Sequence, residues 1–138
     1  MESVKIQDYM NRHPVLLSAE MPLSQAVERL LDAGQAGAPV VDGEQHLLGF
    51  ASEKDCLSLL LKSSYHCDLT ATVADVMRTE VLTVAPEASV LSLADQMLGE
   101  KPKIYPVVEE GKVVGVIDRT LVLKAVTIHL KVCFRHAV

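Results

Sequence analysis

The sequence predicts a mixed α+β fold: two βαββα-type repeats related by a pseudo-twofold axis, with their sheets packed together. Three observations predict it. Blocks of the chain recur at an offset of 67 residues, and each block carries one amphipathic helix pattern. Each helix pattern is followed by two short apolar stretches separated by turn residues.

The elements follow in the same order in both blocks. Asp8-Tyr9-Met10 opens the first and Asp75-Val76-Met77 the second. A short apolar stretch comes next, Val15 to Leu17 and then Val81 to Val84. Leu23, Ala26, Val27, Leu30 and Leu31 keep one face of a helix apolar, and Val90, Leu93, Ala94, Met97 and Leu98 repeat the spacing. Gly34 and Gly37 stop the first helix, as Gly99 and Pro102 stop the second, because proline cannot continue a helix. Strands are expected over Pro39 to Val41 and Leu47 to Ala51, and over Pro106 to Val108 and Val113 to Ile117. Asp42-Gly43 and Glu110-Gly111 supply the hairpin turns, where the second copy is one residue shorter. Closing helices run from Glu53 to the neighbourhood of Leu61 and from Arg119 towards the C-terminus. Repeats over 1–62 and 73–138 are thus joined by a polar linker over 63–72. A repeat of about 60 residues is too small to bury both faces of its sheet, so stacking two is the economical arrangement.

Composition narrows the function classes. The chain has 138 residues, 49% apolar and 22% charged, which excludes disordered and low-complexity classes. Its net charge of -5 is the wrong sign for a general phosphate-backbone binder. An aromatic share of 4% with no Trp gives no stacking platform for single strands, so nucleic acid is not an expected partner. No apolar run reaches the ~18 residues of a membrane span, and no membrane partner is expected. Met1 to Met10 lacks the basic-then-apolar order of a signal, and Cys56, Cys67 and Cys133 form no secreted disulfide framework, so a cytoplasmic location is expected.

The Asp-x-Met openings, the Pro-Val-Val strands and Gly49-x-x-Ser52-x-x-Asp55, repeated in one order, resemble a tandem pair of CBS domains, or Bateman module. The resemblance covers about Lys5 to Val126. It implies a regulatory module for AMP, ADP, ATP or another adenosyl ligand such as S-adenosylmethionine, with no required cofactor. These 138 residues leave no room for a fused enzyme, so the expected output acts on a separate protein. No catalytic triad, Cys-His pair, metal-carboxylate set or Walker-type loop is evident, and the chain is expected not to be an enzyme. The alternative is a structural, protein-interacting pair that has lost its ligand.

The sharpest local signal is Ser52 with Asp55, where a strand feeds a helix. As plain structure the two form a capping box. As the resemblance implies, Ser52 meets phosphate or ribose while Asp55 accepts from both ribose hydroxyls, chemistry that suits a carboxylate at a helix N-terminus. The resemblance also builds the site across the pseudo-twofold axis, which would add Val81, Leu82 and Thr83 and the segment Lys103-Ile104-Tyr105. Leu82 lines an adenine slot or is plain core. Lys103 and Arg119 neutralise phosphate or are solvated surface. Tyr105, at the place of Ala38, stacks on a base or plugs the cleft.

In the second copy Asp118 replaces the serine and Leu121 the aspartate, so at most one nucleotide site is expected. His129, Cys133 and His136 have helical one-face spacing, with His66 and Cys67 in the linker, but no Cys-x-x-Cys supports a metal. The apolar residues around them favour a packed helix. Leu121 to Phe134 is apolar on more than one face, with Ile128 and Val132 in one stripe, and Leu57 to Leu61 is apolar too. Such helices need cover, and a homodimer is expected.

Overall fold

Each repeat lends its opening turn to the other. The computed structural model describes residues 4–66 and 70–136. The turn Ile6–Asp8 of the first repeat leans on the second, where Ile6 N–H donates to Ala88 C=O at 3.0 Å and Val90 N–H donates to Val4 C=O at 2.9 Å. The turn Val73–Asp75 does the same in reverse, Val73 N–H meeting Met21 C=O at 2.9 Å and Leu23 N–H meeting Ala71 C=O at 2.9 Å. Ile6 and Met10 therefore complete a core with Val90, Leu93, Tyr105 and Ile117, while Val73 completes one with Leu17, Leu30, Val40 and Cys56. Full burial of one such side chain contributes about 1.5–3 kcal/mol, so neither repeat keeps its core alone.

The first repeat comprises α1 (Leu23–Ala33), β1 (Gly37–Val41), β2 (Leu47–Ser52) and α2 (Glu53–His66). The second comprises α3 (Val90–Met97), β3 (Ile104–Glu109), β4 (Lys112–Asp118) and α4 (Arg119–His136). β1 pairs antiparallel with β2 and β3 with β4, giving two two-stranded sheets. Between the sheets lie Phe50, Ile104 and Val116, with Ala36 and Val81 against them.

Three local expectations change. The first closing helix, expected to end near Leu61, continues to His66 and so runs into the segment that joins the repeats. In the first hairpin the left-handed residue is Gln45 (φ 67°), not Gly43: the Asp42 carboxylate accepts from Glu44 N–H and His46 N–H and sets the turn. The leading strand of each repeat shrinks to one parallel bridge, Leu17 to Val40 and Val84 to Val107. The cause is proline. Leu17 and Val84 donate to the carbonyls of Pro39 and Pro106, but neither proline has the N–H that would carry the ladder back to Val15 or Leu82.

The opening segments also cross onto the opposite sheets. Phe50 and Arg78 exchange main-chain hydrogen bonds of 2.8 and 2.9 Å, and Asn11 and Val116 exchange bonds of 2.8 and 3.0 Å. Each crossing requires a glycine, since a Cβ at Gly49 would lie 2.6 Å from Arg78 O and one at Gly115 2.6 Å from Asn11 O.

Candidate functional site

At the first crossing, Asp55 faces Arg78. Ser52 ends β2 and caps α2: its Oγ accepts from Asp55 N–H at 3.1 Å and donates to Asp55 Oδ2 at 2.8 Å. Arg78 Nε donates to Oδ2 at 3.0 Å and Nη2 to Oδ1 at 2.9 Å, a bidentate pair. These bonds from Arg78, helped by Ser52 and opposed by partial burial, hold the Asp55 carboxyl below its ordinary range. The Arg78 guanidinium is shifted upward by the same pair.

The pair stands in a cleft of about 650 Å³. One wall is Phe50, Ser52, Lys54 and Asp55 from the first repeat; the other is Lys101 to Ile104 from the second. A cleft of this size, apolar at its floor and charged at its rim, accommodates a small molecule with a planar and an anionic part.

Ser52, Asp55 and Lys103 are therefore brought together as the sequence suggests. Val81 lies behind the cleft, packed on the cluster of Phe50, Ile104 and Val116. Leu82, 47% exposed, and Thr83, also exposed, do not line its walls. Arg119 opens α4 and touches the site only through its N–H, which donates to Lys103 C=O at 2.9 Å; its side chain is no part of the wall. Tyr105 is corrected outright: it is fully buried in the second core beside Ile117 and Val122, out of reach of any base in the cleft. Among the described residues its hydroxyl has no partner in hydrogen-bond geometry; burial raises its pKa, and the Gln96 side chain nearby opposes the rise without completing a bond.

Arg78 and Lys101 were not anticipated. The available signal for Arg78 was its place directly after the second Asp-x-Met opening, on the segment that crosses to β2.

The matching region of the second repeat differs in three ways. Asp118 caps α4 by accepting from Leu121 N–H at 2.8 Å, and Leu121 packs against the core without an acceptor. Third, Gln35 fills the gap left by Pro39. Its Oε1 accepts from Val15 N–H at 3.0 Å, and its Nε2 donates to Val15 C=O at 3.1 Å and Gly37 C=O at 2.9 Å. The residue matching Gln35 is Pro102, which has no such side chain. Among the described residues the main chain of Leu82, the counterpart of Val15, makes no hydrogen bond.

On α4 His129 is half-buried and Cys133 exposed; the side chains of His136 and His66, and Cys67, lie outside the described residues. Among the described residues no three His, Cys, Asp or Glu side chains converge, and no helix is long and apolar enough to cross a membrane.

The CBS domain family matches this chain twice, over residues 6–62 and 73–128. The chain belongs to the CBS domain family. Among solved structures, this CBS pair is similar to an acetoin utilization protein (AcuB) from Vibrio cholerae, at 28% identity and a TM-score of 0.84, covering 97% of this chain and 98% of that one. It is also similar to CBSX2, solved in complex with AMP, at 26% identity and a TM-score of 0.79, covering 92% and 98%. A curated relative, the A-adding tRNA nucleotidyltransferase of Aquifex aeolicus, is 32% identical over 89% of this chain and 14% of its own length. This CBS pair spans less than half the length of the first curated relatives it matches, and the enzymes among them contain it as a small part.

Proposed function

We propose that this CBS pair is a non-catalytic sensor that binds one adenosine-containing ligand in the Asp55 cleft and acts on a partner protein in the cytoplasm. The observation that carries the reading is Asp55 at the N-terminal turn of α2, with Ser52 beside it and Lys103 of the other repeat in the facing wall. A carboxylate has acceptors for both hydroxyls of a ribose, and the helix N-terminus with the lysines favours phosphate. The main chain of Leu82, outside the cleft walls but next in sequence to Val81, which packs on the cleft residues Phe50 and Ile104, offers one N–H and one C=O that are unpaired among the described residues. Gln35 satisfies that same pair at Val15 with an acceptor and a donor, the pattern that adenine presents along its N1 and N6 edge. The relative solved with AMP supports the same ligand class.

The apolar residues left outside the two cores support a homodimer. Leu57 and Leu61 on α2, and Leu123, Ile128 and Phe134 on α4, are exposed, with Leu123 at 67%. A second copy of this chain covering them is part of the proposal.

One observation favours the alternative, an interaction module without a ligand: Arg78 already occupies the oxygens of Asp55. A thermal-shift panel of AMP, ADP, ATP, GTP and S-adenosylmethionine separates the two. A ligand at 100 times its dissociation constant stabilises the fold by about 2.7 kcal/mol. A shift with the adenosyl compounds and none with GTP supports the sensor; no shift with any of them supports the alternative.

A further inference from the structure

The Asp55 carboxylate is already committed. Oδ1 accepts from Arg78 Nη2, and Oδ2 accepts from both Arg78 Nε and Ser52 Oγ. A carboxylate has about four lone-pair positions, so a diol that needs one on each oxygen competes directly with the guanidinium fork. The anchoring of Arg78 is uneven. Its main chain is pinned to Phe50 on both sides, whereas its side chain is 68% exposed and, among the described residues, bonds to Asp55 alone. The side chain is free to rotate away from Asp55 while its Cα stays at the rim of the cleft. Lys54, Lys101 and Lys103 on that rim offset the carboxylates of Glu53, Glu100 and Asp55, so the released guanidinium enters a field of no net sign.

What replaces Asp55 then depends on the ligand. A phosphate offers the same planar, bidentate recognition that the carboxylate gave, so Arg78 exchanges one charged partner for another. An uncharged nucleoside offers it nothing, and a cationic adenosyl compound repels it. We infer that Arg78 is a specificity-determining latch: it closes Asp55 to uncharged and cationic adenosyl compounds and yields it to a nucleoside phosphate, whose phosphate it then holds. This rests on the adenosyl-site reading above and narrows it to anionic ligands.

Titration calorimetry of the wild-type chain, Arg78→Ala and Arg78→Lys with AMP and with adenosine tests the latch. The wild type is expected to bind AMP at least about tenfold more tightly than adenosine. In Arg78→Ala, AMP weakens while adenosine tightens, because Asp55 is no longer occupied, and the two affinities come within about threefold of each other. Arg78→Lys retains part of the preference, since an ammonium meets phosphate as a point charge without the fork. Tightening of adenosine is the decisive sign, because a merely structural arginine would weaken both ligands together. Equal weakening of both, or no change in either, overturns the latch and leaves the adenosyl site standing. Absence of binding to the wild type and to Arg78→Ala by both compounds overturns the site and the latch alike.

Discussion

Gln35 holds the main chain of Val15 by both its N–H and its C=O, through bonds of 3.0 and 3.1 Å. The side chain stands in for a strand that Pro39 prevents, and Pro102 makes the same substitution impossible in the second repeat. One repeat thus closes its own edge, and the other leaves the main chain of Leu82 open among the described residues.

Replacing Gln35 by Ala should therefore destabilise the fold, since it strips partners from Val15 and Gly37 in a half-buried place. Leaving such groups unpaired costs about 1–3 kcal/mol. Chemical denaturation checks this, and unchanged stability would contradict it. The variant should gain no second nucleotide site, because Leu121 still has no acceptor.

Tyr105 gives the opposite expectation. Among the described residues its buried hydroxyl has no partner in hydrogen-bond geometry, so Tyr105→Phe loses no hydrogen bond. Stability should hold or rise by up to about 1 kcal/mol, with AMP affinity unchanged. A clear loss of either, measured by denaturation and calorimetry, would show that the hydroxyl has a role the fold does not reveal.

Most of the fold was legible because it is written twice: an offset of 67, falling to 66 after the hairpin, relates the turns, helices, strands and even the exchanged main-chain bonds of the two repeats. The Ser52 and Asp55 pair was legible because a cap is a local device, set by three residues of spacing. Arg78 was not, since its meeting with Asp55 joins positions 23 apart through a sheet crossing. Tyr105 was misread because its neighbour Ile104 does line the cleft. On a strand side chains alternate between faces, and the matching Ala38 is likewise buried in its own core. The missing leading strands trace to two prolines whose carbonyls still pair, which makes the remaining bridge easy to mistake for a strand.

The Arg78 pair carries a pH dependence of fixed sign. Because Asp55 has a lowered pKa in the folded chain, its contribution to stability is fully present above the unfolded value of about 3.9. That contribution is lost as pH falls through the lowered folded value. The stability gap between wild type and Arg78→Ala should stay constant near neutrality and close on acidification. Denaturation curves at several pH values, with the Asp55 carboxyl followed by NMR, measure it; a gap that widens in acid would contradict the assignment.

The exposed apolar faces of α2 and α4 lead to an expectation about assembly. Sedimentation velocity should show the wild type as a dimer at micromolar concentrations. Ile128→Glu should give a folded monomer, because a carboxylate buried without a partner is costly. A well-folded wild-type monomer would remove the dimer from the account.

The central claim is one adenosyl site per chain, built on Asp55, and calorimetric titration of AMP into the wild type and Asp55→Ala tests it most directly. The account predicts one site per chain in the wild type. It predicts affinity weaker by about 2–3 kcal/mol in the variant, since hydrogen bonds to a charged group contribute about 1.5–3 kcal/mol. Two equal sites, no binding to the wild type at millimolar AMP, or the same affinity in a folded Asp55→Ala chain would contradict it.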